Sequence, residues 1–160
     1  MLPALNAQSS SERTLLVVGV AGSGTSMVAT VLDLLGVPDE RMWSATLPDA
    51  FDDLDPMDMG FRNPHVLVAF RDPVAIAERS HRSGQDDFVG ALKAVATRAR
   101  QLVRWTALLR CPVLMVSYEK AMRSPERFVD AVISFAGLSP TQQQRREAIA
   151  SIRQIEERQP

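Results

Sequence analysis

Residues 14–36 read TLLVVGVAGSGTSMVATVLDLLG, and this stretch decides the fold. An apolar run, Leu15-Leu16-Val17-Val18, ends at Gly19. A loop of small residues follows, and then Met27, Val31, Leu34 and Leu35 recur at helical spacing. The pattern predicts a strand, a tight loop and a helix. Such a loop leaves the first backbone N–H groups of the helix unpaired, with the positive end of the helix dipole behind them, which makes an anion site. Gly19-Val20-Ala21-Gly22-Ser23-Gly24-Thr25-Ser26 fits the phosphate-cradling pattern G-x-x-x-x-G-K-[ST] everywhere except at the lysine, which is Thr25. Without that point charge, ordinary ATP or GTP hydrolysis is a poor fit. The alternative reading of the same turn is purely structural: glycines that let a helix pack closely on a sheet.

At 160 residues the chain is expected to form one domain over residues 14–160, preceded by a flexible lead-in over residues 1–13 with Ser9, Ser10 and Ser11 in a row. Apolar strands that alternate with helical segments imply an α/β fold, a three-layer, P-loop-like domain whose parallel central sheet is flanked by helices. The net charge of −1 argues against a nucleic-acid binder. Of the 18 basic residues only Lys93 and Lys120 are lysines, so an anion site here is expected to be built from guanidinium groups. Cys111 stands alone, which leaves no internal disulfide and no cysteine-based metal cluster and suits a reducing compartment. The apolar runs are far shorter than the roughly 20 residues of a membrane span, and the N-terminus lacks a signal-peptide pattern. The expectation is a soluble, cytoplasmic protein without a membrane span or a bound metal.

Further along, Gly36 and Pro38 predict the end of the first helix. Residues 39–64 are the least readable part. Asp49, Asp52, Asp53, Asp55 and Asp58 form either a solvated loop or the place of a general base, and Trp43, Met57, Met59 and Phe61 either line a pocket or cover the sheet. His65 to Phe70 reads as a second strand that runs into Arg71-Asp72-Pro73 and a helix through about Arg82. In a parallel sheet Arg71 shares an edge with the glycine-rich loop, and its planar fork suits phosphate. Asp86 or Asp87 is expected to cap a long helix to Leu109, with Phe88, Leu92, Val95, Ala99, Leu102, Val103 and Thr106 as its stripe. Its Arg98, Arg100, Arg104 and Arg110 form either a polyanion track or a solvated face. Pro112 to Val116 is a third strand. Ser124, Pro125 and Glu126 then start a helix that Gly137 stops. A last helix from Thr141 to about Arg158 carries Ala148, Ile149, Ile152 and Ile155, and either packs on the domain or joins subunits of a homo-oligomer.

Three of these blocks resemble the sulfotransferases. G-V-A-G-S-G-T-S-M resembles their 5′-phosphosulfate loop, a basic residue followed by S-G-T-[ST], with Gly22 in the basic position. The strand entering R-D-P is similar to their second motif, and P-V-L-M-V-S-Y-E followed by S-P-E-R-F-V-D-A-V-I-S-F-A-G-L to their third. The resemblance implies metal-free binding of 3′-phosphoadenosine-5′-phosphosulfate by Gly22, Ser23, Gly24, Thr25 and Ser26, and sulfuryl transfer to a hydroxyl of a small-molecule or glycan acceptor. It implies that Arg71, with a serine eight residues later, grips the 3′-phosphate. The eighth residue here is Arg79, and Ser80 comes one later, about 100° further round a helix, so both are candidates. Tyr118 would border the adenine. The R-K-G triplet that closes over the nucleotide in cytosolic members is absent from this sequence, and Gly60-Phe61-Arg62-Asn63-Pro64, similar to another family segment, abuts the second strand directly.

No general base is assigned. His65 starts its strand, about 20 Å from the phosphate end at ~3.3 Å per residue, and His81 lies well down its helix. Two other readings stay open: a non-catalytic relative that binds nucleotides or polyanions, and a P-loop small-molecule kinase using Mg²⁺ on Asp72 or Glu119.

Overall fold

The structure, a computed structural model, describes residues 13–46, 55–84 and 87–157. The expected lead-in before Arg13 lies outside the described residues, as do Asp49, Asp52, Asp53 and Asp86. Among the described residues four strands form one parallel sheet in the order β2-β1-β3-β4. They are β1 (Thr14–Gly19), β2 (Met42–Thr46), β3 (Pro64–Phe70) and β4 (Val113–Ser117). The α/β architecture with a parallel sheet between helices is therefore as expected from the alternation of apolar runs and helical stripes. The strand β2 is an addition to the three that the sequence predicts.

The two faces of the sheet follow from the two-residue period of the strands. Leu15 and Val17 of β1 point to one side with Leu67, Ala69 and Val116, and there they meet α1 (Thr25–Leu34), α5 (Pro125–Ala136) and α6 (Gln142–Glu157). Leu16 and Val18 point to the other with Val66 and Val68, and meet α2 (Pro73–Arg82) and α3 (Phe88–Leu108) through Ile76, Val95, Leu102 and Trp105. Both faces are buried, so β1 and β3 read as continuous apolar runs rather than as alternating ones. A short helix, α4 (Tyr118–Arg123), links β4 to α5.

The expected helix boundaries hold to within a residue or two. Asp87 caps α3 by accepting the Gly90 N–H at 2.9 Å, and Pro125 begins α5 after Ser124. The Ser124 hydroxyl makes no capping bond. Arg110 lies beyond the end of α3 and pairs with Asp55 at 2.9 Å and Asp58 at 2.7 Å, so it does not continue a track along the helix with Arg98, Arg100 and Arg104.

The last helix packs on the domain. Ala148, Ile149 and Ile152 are buried in the core on the α1 face, and Ile155 packs against it. On the rim Arg145 forks onto Asp130 of α5 at 2.8 and 3.0 Å, and Arg153 pairs with Glu126. The hydrogen bonds from Arg145 hold the Asp130 carboxyl below the usual carboxylate range, against a smaller opposing push from desolvation. A carboxylate depressed in the folded state adds stability above its unfolded pKa and loses it as pH falls through the folded one. Because this pair is largely solvent-exposed, the term is small. Asp130→Asn is expected to make urea stability slightly lower at neutral pH and slightly less acid-sensitive, with the two proteins converging as pH falls below roughly 4. Parallel urea titrations across that range check it.

Candidate functional site

In a parallel sheet all strands finish at the same edge. Gly19 pairs with Ala69, and Phe70 with Ser117, so the chain leaves β1, β3 and β4 side by side. The chain turns from β1 to one side, toward β2, while β3 lies on the other, and a crevice opens at such a switch point. The glycine-rich loop, Arg71 and Tyr118 all emerge there.

The loop is folded back tightly on the strand ends. A Cβ at Gly19 would lie 2.8 Å from Thr25 Cγ2 and 2.9 Å from the Ala69 carbonyl oxygen, and would strike Ser23 Oγ, so only glycine fits. The Ser23 N–H bonds the Val20 carbonyl at 2.9 Å and closes the turn. Ser23 and Thr25 are buried, whereas Gly22 and Ser26 face solvent. Helix α1 then starts with Gly24 as its N-cap in the left-handed region, φ 100°, and no side chain caps its first turn. The Ser23 Oγ is buried and has no hydrogen-bond partner among the described residues. A buried hydroxyl left in that state costs about 1–3 kcal/mol, which an oxygen-rich ligand can recover.

The second and third motifs lock onto the first. A Cβ at Gly24 would sit 2.6 Å from Tyr118 Cδ2, so the tyrosine ring is seated directly on the glycine. Over the same ring lies the Arg71 guanidinium, 4.4 Å from its centroid. A cation–π contact of this kind contributes roughly 0.5–2 kcal/mol, and it fixes where the fork of Arg71 sits. Glu119 braces the turn from the other side: its Oε1 accepts the Asp72 N–H at 2.8 Å and its Oε2 accepts from Ser117 Oγ at 3.3 Å. Asp72 in turn caps α2 by accepting the Val74 N–H at 2.8 Å. Tyr118, expected at a strand end, is the first residue of α4 and is buried.

Arg79 and Ser80 lie on α2, on the other flank of the loop. Together with Gly22 they line a cavity of about 350 Å³ between the loop, α2 and α3. Both are on its wall, so the one-residue offset along α2 does not separate them. The candidate residues thus divide between two flanks of one loop: Gly24, Arg71 and Tyr118 on one, Gly22, Arg79 and Ser80 on the other.

Sequence reasoning missed the bracing role of Glu119. Glu119 was readable only as a possible metal ligand, although its place beside Tyr118 at a strand end puts it against the R-D-P turn. Arg98, one of the α3 arginines that the sequence singles out, is exposed and lines the cavity. Ala91, Val95, Leu102 and Trp105 form the buried stripe, and Arg98 occupies the position three residues after Val95 and four before Leu102. His65 sits at the far edge, as expected: it is buried, its Nδ1 lies 3.0 Å from the Asn63 carbonyl oxygen, and its ring meets Phe135 edge-on at 5.4 Å. Exposed His81 is in the last turn of α2. No helix among the described residues is long and apolar enough to cross a membrane, and no three His, Cys, Asp or Glu among them cluster as a metal site would require.

The fold is similar to that of solved sulfotransferase structures. The chain is similar to the mouse sulfotransferase SULT7A1 complexed with PAP, with a TM-score of 0.70 and 13% identity over 93% of this chain and 66% of that one. It is also similar to the sulfotransferase domain of the Synechococcus PCC 7002 olefin synthase, with a TM-score of 0.61 and 12% identity over 82% of this chain and 75% of that one. The chain thus spans about two thirds of the length of SULT7A1. No family model matches the sequence, and no curated protein matches it.

The seating of Tyr118 on Gly24 generates a stability test. Gly24→Ala adds a methyl at φ 100° against the ring and is expected to cost about 1–3 kcal/mol in urea unfolding. In Gly24→Ala/Tyr118→Ala the clash is gone, so the double variant should lose less than the sum of the single ones. Strict additivity would show that the ring does not rest on the loop.

Proposed function

We propose that the protein binds 3′-phosphoadenosine-5′-phosphosulfate at the β1–β3 crevice and transfers its sulfuryl group to a hydroxyl of a small-molecule or glycan acceptor. The observation that carries this reading is the joint seating of Gly24, Tyr118 and Arg71, because it gathers all three sequence motifs at the phosphate end of one sheet. The uncapped first turn of α1 and the unsatisfied Ser23 hydroxyl suit a phosphate that accepts from them. In this reading the loop from Gly22 to Ser26 holds the 5′-phosphosulfate. Arg71, with Arg79 or Ser80, takes the 3′-phosphate, and the Tyr118 ring borders the adenine. The bound donor supplies an activated sulfuryl group.

The chain's own contribution is electrostatic and positional. Backbone N–H groups at Gly24 to Ser26 and the α1 dipole stabilise charge that develops on the leaving phosphate, a class of interaction in which one lost donor costs about 10² to 10³ in rate. Arg71 holds the nucleotide in line. Its position is set by Tyr118 beneath it and by Glu119 on the next peptide. The kinase alternative has less support, since Asp72 and Glu119 are engaged in capping α2 and bracing the turn.

The nucleotide reading is tested by thermal unfolding with and without 3′-phosphoadenosine-5′-phosphate. A ligand that binds only the native state stabilises it, by about 2.7 kcal/mol at a hundred times its Kd. The expected result is a saturable rise in Tm that persists in the presence of a chelator and that Arg71→Ala removes. No rise at millimolar nucleotide would refute donor binding, leaving the fold in another use.

A further inference from the structure

We propose that the outer edge of β4 binds an extended acidic peptide segment of a partner protein, which adds to the sheet as a further strand. The proposal is independent of the nucleotide reading.

An open strand edge carries it. β4 ends the sheet and pairs with β3 alone among the described residues. The Val66 N–H bonds the Pro112 carbonyl at 2.9 Å, and the parallel register continues unbroken to Phe70 and Ser117. Peptide groups alternate in direction along a strand, so Leu114 and Val116 turn theirs toward β3 while Val113 and Met115 turn theirs outward. These outward groups have no partner among the described residues. Proteins commonly blunt such an edge with a charge, a proline or a bulge. Val113-Leu114-Met115-Val116-Ser117 has none of the three, and its Met115 is 52% exposed.

A groove runs along this edge. Leu114, Met115, Val116 and Ser117 all line one cavity of about 450 Å³, whose other wall is α4 and α5. Side chains of successive strand residues point to opposite faces, so a cavity that all four share lies beside the strand and not over one face. Ala121, Phe128 and Ala131 give the wall its apolar surface. Strand addition uses this combination: main-chain bonds supply affinity, and an adjoining pocket takes side chains of the added segment.

The edge marks the place, and charge selects the occupant. Lys120, Arg123 and Arg127 rim the groove, no carboxylate lines it, and none of the three pairs with a carboxylate among the described residues. A second copy of the chain would bring the same three cations to the shared groove, and a basic strand would be repelled. A segment with an apolar centre and acidic ends covers the wall and meets the rim.

The test uses the full chain and calorimetry with a short blocked peptide that has a valine centre and glutamate ends. Its controls are the same peptide with lysine ends and one N-methylated along its backbone. The glutamate peptide is expected to bind, and each control to bind roughly ten-fold or more weakly. Met115→Pro removes an outward N–H that β3 does not use, so it should keep a Tm near wild type and lose the peptide. Lys120→Glu/Arg127→Glu should reverse the preference between glutamate and lysine ends, whereas Arg146→Glu, exposed on α6 and outside the groove, should leave it intact. In amide exchange the bound peptide should slow Val113 and Met115 and leave Leu114 and Val116 unchanged. Should Met115→Pro fail to fold, the charge reversal and the exchange pattern decide.

No binding of the glutamate peptide at millimolar concentration, equal binding of either control, or a preference that survives the charge reversal would overturn the proposal. So would a dimer that Met115→Pro dissociates, which would give the edge to a second copy.

Discussion

The tyrosine ring at the start of α4 is the piece on which the site depends. Tyr118 meets Gly24 at its Cδ2 edge and carries the Arg71 guanidinium over its face. One side chain from the end of β4 therefore sets the distance between a loop after β1 and a turn after β3. The contact works only because residue 24 has no side chain and because the parallel register places Gly19, Phe70 and Ser117 at one edge. The pairing of Gly19 with Ala69 brings the loop and the R-D-P turn to one edge, the Tyr118 ring touches both, and Glu119 adds a bond to the Asp72 N–H.

The distribution of charge separates structure from site. Arg145 and Arg153 tie α6 to α5, and Arg110 ties the approach to β4 onto Asp55 and Asp58. Those contacts are exposed or at the rim and add little stability singly, yet each fixes the position of an element. Around the loop the pattern reverses. Arg71 is held by an aromatic face, and Arg79 and Arg98 look into a recess without a carboxylate.

Much of this was legible in the sequence. Leu15 to Val18 and His65 to Phe70 are apolar on both faces, so their runs announce buried parallel strands, and the glycines and R-D-P that follow mark the edge where the chain turns. The strand β2 was not legible. Met42 to Thr46 pairs with β1 alone, its residues are only partly buried or exposed, and its mixed composition carries neither a two-residue alternation nor an apolar run. The loop and Arg71 were readable as candidates for an anion site because backbone geometry and residue type suffice to suggest one. The positions of Glu119 and Arg98 required the third dimension. Glu119 acts across 47 residues of chain on a backbone N–H, and Arg98, exposed like Arg100 and Arg104, differs from them by the face of α3 it occupies.

In the proposed function, backbone N–H groups at the start of α1 and the R-D-P turn form one nucleotide site. Amide hydrogen exchange with and without 3′-phosphoadenosine-5′-phosphate reads those groups directly. The account predicts slowed exchange confined to residues 22–28, 71–76 and 118–121, with the α5–α6 face unaffected. Unchanged exchange in the loop at saturating nucleotide, or protection confined to other parts of the sheet, would contradict it.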